Sequence, residues 1–409
     1  MKFPTCLLLS ATFLATPAWA EPLKLKPIID TRLRYESVDQ DPMVKDADAL
    51  TFRARIGAEM ANKKWSFLIE GEATAAIVEH YNSGVNLKTQ FPIVADPENV
   101  ELNRAQVQYK GLAKTVITLG RQRINLDDQR FVGAVGWRQN EQTFDAVRIE
   151  NSAIKNLKLD VTYAWSDRTI WGVDGFGTNQ QAISGDNVFA NVSYKTKIGT
   201  LTGFAYLVDQ DEFAVAGFRR SSQSYGARFA GSYPLSKAVK LTYAASYATQ
   251  SDYHRNPNDY KAEYYLIEGG LSYKALTLGA GYEVLGADEG VAFTSFQTPL
   301  ATLHKFQGWA DKFLTTPPNG IKDLYGSAGY TLTKVGPFAS IAATLVYHDY
   351  KTDRLDFDYG SEWNLQLAGK IDKFTLLLKY ADYNAKTNVG FVNPTTDTKK
   401  FWASVEWAF

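Results

Sequence analysis

The chain has 409 residues, 44 Lys+Arg against 44 Asp+Glu, and a formal net charge of zero. It carries 23 Tyr, 23 Phe and 9 Trp but one Cys and three Met. This excludes a disordered chain, a disulfide scaffold and a cysteine-ligated metal site, and the charge balance lacks the basic footprint of a nucleic-acid binder.

At the N-terminus, Lys2 precedes a mostly apolar run over residues 6–14, and Pro17-Ala18-Trp19-Ala20 ends in a small-x-small cleavage signal. This predicts a secretory signal peptide over residues 1–20, cut after Ala20, with Cys6 leaving in it. The mature chain, residues 21–409, would then be a single Cys-free domain outside the cytoplasm. Beyond residue 20 no run approaches the roughly eighteen apolar residues that a membrane helix needs.

From there the dominant period is two. Leu50, Phe52, Ala54, Ile56, Ala58 and Met60 alternate with Thr51, Arg53, Arg55, Gly57 and Glu59. Trp65, Phe67, Ile69, Gly71 and Ala73 alternate with Ser66, Leu68, Glu70 and Glu72, and Phe401, Ala403, Val405, Trp407 and Phe409 with Trp402, Ser404, Glu406 and Ala408. Such alternation is a strand with one apolar face. It predicts strands near 25–36, 50–61, 64–75, 100–110, 114–123, 143–150, 157–166, 186–195, 199–209, 221–232, 239–249, 260–273, 275–285, 321–332, 337–349, 360–370, 373–383 and 398–409.

The links alternate in length. Asn62-Lys63, Gly111-Leu112-Ala113, Lys334-Val335-Gly336 and Asp372 are short; 76–99, 124–142, 167–185 and 286–320 are long. Short turns on one side, long loops on the other and an even strand number predict an all-β transmembrane antiparallel up-and-down barrel of about eighteen strands. It would have short periplasmic turns and long extracellular loops, and would sit in the outer membrane of a Gram-negative bacterium among lipid and lipopolysaccharide. Tyr35, Trp65, Tyr109, Trp165, Tyr194, Tyr273, Tyr347 and Trp407 at strand ends fit interfacial girdles, where most of the aromatics are expected. The strand ending in Phe409 resembles the signal read by the barrel-assembly machinery.

If the apolar parity meets lipid, the other parity lines the channel. It includes Arg32, Arg34, Arg53, Arg55, Glu59, Glu70, Glu72 and Arg104, because charges facing lipid near mid-membrane cost several kcal/mol. The arginines either form an anion-guiding track or pair with the glutamates and fill the wall; both readings stand at this point.

The 286–320 link is the longest. Leu300, Leu303, Phe306 and Trp309 recur at helical spacing, interleaved with His304, Lys305, Asp311 and Lys312, and Pro317-Pro318-Asn319-Gly320 stops the pattern. An amphipathic helix is expected there, packed on the wall or folded into the mouth, as a constriction or as a rim lid.

Catalytic patterns are missing. His80, His254 and His304 fall in predicted loops and His348 on a lumen parity, with no H-x-x-x-H spacing, so neither a metal, a cofactor nor an enzymatic role is expected. Asp127-Asp128 and Asp209, Asp211 and Glu212 read as solvated acidic loops or weak Ca²⁺ sites.

Residues 120–146, GRQRINLDDQRFVGAVGWRQNEQTFDA, and 298–325, TPLATLHKFQGWADKFLTTPPNGIKDLY, resemble segments of the bacterial alginate-export family of outer-membrane proteins. The resemblance implies an eighteen-stranded barrel with an arginine-rich lumen and a loop that obstructs the pore. Gly120, Arg121 and Arg123 match its Gly-Arg-Gln-Arg motif, which makes Arg121 and Arg123 lumen candidates. The chain departs from the exporter in being shorter and charge-balanced, so the family supports a channel more than it supports alginate. The expected function is a passive channel for anionic solutes, uronates, saccharides or polysaccharide; the alternatives are a general small-solute porin and a barrel enzyme.

Overall fold

A computed structural model describes residues 21–212, 217–388, 390–391 and 393–409; the signal peptide read over residues 1–20 lies outside the described residues. Eighteen strands follow in chain order: Lys24–Gln40 (β1), Ala47–Ala61 (β2), Trp65–His80 (β3), Asn99–Tyr109 (β4), Thr115–Gln122 (β5), Thr143–Asn151 (β6), Leu157–Arg168 (β7), Ala182–Lys195 (β8) and Thr200–Val208 (β9). The second half holds Ser222–Pro234 (β10), Val239–Asp252 (β11), Lys261–Tyr273 (β12), Leu276–Leu285 (β13), Ile321–Val335 (β14), Phe338–Lys351 (β15), Asp358–Ile371 (β16), Phe374–Ala385 (β17) and Thr398–Ala408 (β18).

Each strand pairs antiparallel with the next, and β18 pairs back onto β1 from Asp30↔Ala408 to Gln40↔Thr398. The sheet is therefore closed, and closure leaves no unpaired edge for the bilayer to desolvate. The short turns have local causes. Asn62 Oδ1 accepts from the backbone N–H groups of Lys64 and Trp65 at 2.9 and 2.8 Å, which closes the β2–β3 turn. Gly336 turns β14 into β15 at φ +56°, a left-handed conformation glycine adopts without a Cβ clash.

Alternation sets the two faces. Ile56, Ile69, Ile267 and Leu365 are exposed on the outside, at 63%, 61%, 65% and 52%, whereas Thr51, Arg53 and Arg55 on the other parity are buried. An apolar surface of that extent wrapped around a closed sheet is the lipid-facing wall of a membrane barrel. Trp65 packs on Tyr109 at 4.6 Å toward the short turns and Tyr347 on Trp363 at 4.6 Å toward the long loops. These are the two girdles.

Three expectations change. The expected helix within 286–320 is absent: only Leu303–Lys305 forms a single 3-10 turn. Gln307, Gly308 and Asp311 take φ of +55°, +81° and +60°, which no α-helix accommodates. His80, expected in a loop, closes β3. Many aromatics sit in the interior instead of the girdles. Phe131, Phe204, Tyr206, Tyr264 and Phe296 cluster at ring separations of 4.8–5.8 Å, and Phe313 packs on Tyr350, Tyr359 and Tyr383. The reason is that long loops fold inward and need a core of their own.

Candidate functional site: the loop-filled throat

Two loops meet inside the barrel. Ile124, Val132 and Gln139 of the β5–β6 loop and Ser295, Phe296 and Leu300 of the β13–β14 loop are buried. Their backbones interlock: Gly133 N–H donates to the Leu300 carbonyl at 2.9 Å and Thr302 N–H to that of Gln129 at 3.1 Å. Arg130 Nε donates to Glu283 Oε1 on β13 at 2.7 Å, and Arg130 Nη1 to Thr298 Oγ1 at 2.9 Å, so one guanidinium ties both loops to the wall. A third loop, between β3 and β4, contributes buried Asp96, which accepts from Arg34 and, at 2.8 Å, from the backbone of Gln139.

The strand arginines hold these loops. Arg32 Nε donates to Gln139 Oε1 at 2.8 Å and its other nitrogens to the carbonyls of Gly136 and Arg138. Arg34 also donates to the Trp137 carbonyl and lies 5.0 Å from that ring. Arg53 pairs with Asp30, and Arg55 pairs with Glu72 and reaches Glu141 at 3.3 Å. Arg104 makes a two-pronged pair with Glu70 at 2.8 and 2.7 Å, and Arg123 does the same with Glu141 at 2.8 and 2.5 Å. Glu59 accepts from Ser66 at 2.5 Å. Most of the arginine charge in this wall is thus matched by carboxylate. Arg32 is the weakest matched, with Glu406 at 3.9 Å.

Arg121 does not share that face. Thr118 and Gln122 on the same strand are buried, but Arg121 has the parity of exposed Leu119, pairs with Asp145 at 2.8 and 2.9 Å, and donates to the Leu102 carbonyl at 2.9 Å. The motif match placed it in the lumen; the strand alternation places it on the outer face. Arg123 lies just past the end of β5, in the inward loop.

At the centre lies His304. Its ring stacks on Trp137 at 4.3 Å and 5°. Lys379 Nζ donates to Nε2 at 2.7 Å, which leaves Nδ1 protonated and donating to Asp311 Oδ1 at 2.7 Å. Burial chiefly, with help from Lys379 and against Asp311, pushes the imidazole down to about 3, so it is neutral. Asp311 Oδ2 accepts from Arg138 and Lys400, each at 2.9 Å. Burial opposes its ionisation, but His304, Lys400 and Arg138 overcome that and hold the carboxyl well below its ordinary range. Asp311 therefore clasps the β5–β6 loop, its own loop and β18 together. Glu362 on β16 seats the same loop by accepting from the backbone of Trp309 at 2.5 Å and Ala310 at 2.8 Å. The Lys379 ammonium lies 3.8 Å from the Trp309 ring centre and 4.3 Å from that of Trp137. Lys305 donates to the Asp128 carbonyl at 2.7 Å and Lys312 to Thr398 Oγ1 at 2.8 Å.

Above this throat opens a cavity of about 480 Å³, lined by the β1–β2, β3–β4 and β7–β8 loops and floored by Arg138, His304, Asp311, Lys312 and Lys400. Burial lowers the Lys312 ammonium to about 8, so it remains mostly charged at neutral pH. Lys400 and Glu362 follow the parities of Trp402 and Asn364, and alternation alone would have found them. Arg138 lies in the Gly136-Trp137-Arg138-Gln139 stretch of the segment that resembles the family, whereas nothing local in the sequence marks Asp96, because its loop's path through the lumen is long-range.

No curated protein matches the chain in sequence. Among solved structures, OccK9 (OpdG) of Pseudomonas aeruginosa aligns at a TM-score of 0.72 with 13% identity, covering 94% of this chain and 98% of that one. OccAB4 of Acinetobacter baumannii aligns at 0.69 with 15% identity, covering 95% and 99%. The likeness shows the fold, the eighteen-stranded porin barrel. A family model described as alginate export matches residues 25–284, over half of the chain, and the chain belongs to that family, as a Gram-negative outer-membrane channel whose apolar wall meets lipid and lipopolysaccharide.

Proposed function

We propose that the channel passes small anionic solutes passively, one at a time, through the throat beneath the 480 Å³ cavity. The observation that carries this reading is the floor, where Arg138, Lys312 and Lys400 face a single lining carboxylate, Asp311, and only Arg138 has a further one, Glu36, behind it. Among the described residues Lys312 and Lys379 have no carboxylate partner in salt-bridge contact. Surplus positive charge between low-dielectric walls draws anions in, and guanidinium and ammonium donors suit carboxylates. Arg32, with its distant partner, continues this charge below.

The inward loops favour a selective passage over a general pore, and a passage for monomers over one for a polymer strand. Uronates and other organic acids fit this reading better than intact polysaccharide; the gradient sets the direction. The protein is read as a channel without catalysis. His348 Nδ1 is engaged by Asp323 at 2.9 and 3.0 Å, and no described serine hydroxyl bonds it. The C-terminal strand up to Phe409, whose ring faces outward, is read as the handle for the assembly machinery. Liposome swelling tests the transport reading: organic anions should enter faster than neutral sugars of equal size, and equal rates would contradict it.

A further inference from the structure

The short turns carry one sign of charge. Lys64, Lys110, Lys195, Lys274, Lys334 and Lys373 lie in different short turns, or at the strand ends beside them, and all are exposed. The remaining short turns, 152–156 and 235–238, each hold an exposed lysine as well. None of these turns holds an arginine, and Asp372 is their only acid. Among the described residues, Lys63 beside Lys64 is the one turn lysine in ion-pair contact with a carboxylate, that of Glu21. Lys274 and Lys334 take φ of +52° and +58°, the left-handed region that Gly and Asn enter at least cost. Turn geometry alone would favour Gly or Asn at both.

The lysines also share one level of the membrane. Lys64, Lys110, Lys195 and Lys274 adjoin Trp65, Tyr109, Tyr194 and Tyr273, rings of the girdle toward the short turns. Lys274 Nζ lies 5.2 Å from the centre of the Tyr273 ring, and Lys373 Nζ 4.2 Å from that of Phe409. Girdle rings mark the depth at which lipid headgroups begin. The opposite rim is built differently. There Tyr163 donates to Asp186 at 2.5 Å and Tyr247 to Glu263 at 2.9 Å, so the same kind of ring meets carboxylates.

We propose that the short-turn rim binds anionic glycerophospholipids of the adjacent leaflet, with lysine ammonium groups on headgroup phosphates and acyl chains on the apolar wall. This is independent of the pore's preference for anions. The distribution of charge selects the occupant. The lysines encircle the barrel turn after turn, as lipid does, whereas a protein or a soluble polymer would be met by charge gathered on one side. Lysine suits the task, because its apolar stem stays on the wall while the ammonium reaches out to the phosphate. A zwitterionic headgroup offers the same phosphate, but its own ammonium cancels most of the attraction, so lipids with net negative charge are preferred.

Native mass spectrometry of the full barrel, taken from micelles holding equal amounts of phosphatidylglycerol and phosphatidylethanolamine, tests this. Bound phosphatidylglycerol should exceed bound phosphatidylethanolamine by at least about threefold, since each lysine near a lipid surface adds to the attraction. The excess should shrink as ionic strength rises. Lys274→Gln, Lys334→Gln and Lys373→Gln combined should reduce the excess by at least about half, as the field of the ring weakens. Lys261→Gln combined with Lys399→Gln, on the opposite rim, should keep it. The heat-modifiable gel shift shows that each variant is folded. Equal uptake of the two lipids, or a folded triple variant with the parent's excess, overturns the inference. An equal loss in the opposite-rim variant does the same. Polyglutamate that strips the phosphatidylglycerol at equal charge also overturns it, in favour of a soluble polyanion.

Discussion

Asp311→Asn removes the negative charge that three groups share and keeps the side chain's shape. In the parent, one oxygen takes Arg138 and Lys400 at 2.9 Å each and the other takes His304 at 2.7 Å, all in a buried setting. Breaking a buried ion pair by removing one partner costs about 3–5 kcal/mol. Arg138 retains Glu36 at 3.1 Å, so the lower end applies, about 3 kcal/mol. At 1.4 kcal/mol per tenfold, the balance between seated and displaced loop should shift by roughly a hundredfold. Single-channel recording in planar bilayers reads this as more frequent large-conductance openings. The heat-modifiable gel shift of the same sample shows that the barrel is folded. A folded Asp311→Asn barrel that keeps the parent's conductance and dwell times would show that Asp311 does not hold the loop in place.

Three further outcomes follow from single residues. Gly308→Ala should unseat the loop, because φ is +81° and an added Cβ would lie 2.3 Å from both Glu362 Oε2 and the Tyr350 hydroxyl; faster tryptic cleavage at Lys305 and Lys312 is the readout. Raising the pH should lower anion preference through about pH 8 as Lys312, with its depressed value, loses its proton, and Lys312→Gln should erase that step in zero-current potential. Arg121→Ala should leave ion selectivity unchanged, since the side chain faces outward beside Asp145; a shift as large as that of Arg32→Ala would contradict the assigned face.

The strands were legible because lipid on one side and a polar lumen on the other force period-two alternation, which a single sequence displays. Arg53 and Arg55 could be assigned a face from Phe52 and Ile56 alone. The 286–320 loop was not legible. Leu300, Leu303 and Phe306 suggest a helix by spacing, yet each meets a different partner inside the barrel, and Gly308 and Asp311 bend the chain between them. Spacing reads repetition along one element and is blind to contacts made by coil. Arg121 shows the converse hazard: a family motif carried its position but not its face, and the neighbours Leu119 and Gln122 decide that. Partnering was the third unreadable layer. The sequence left open whether the arginines guide solute or fill the wall. The structure matches Arg53, Arg55, Arg104 and Arg123 to carboxylates, leaves Arg32 with only the distant Glu406, and gives Lys312 no carboxylate in salt-bridge contact among the described residues.

On the proposed function, surplus cations at a loop-filled throat give this outer-membrane channel a preference for anions. Its most direct measurement is the zero-current potential of the wild-type barrel in a planar bilayer under a tenfold KCl gradient. The potential should have the sign set by chloride permeating faster than potassium, and should be smaller in Lys312→Gln. A cation-selective potential, or one indistinguishable from zero, would contradict it.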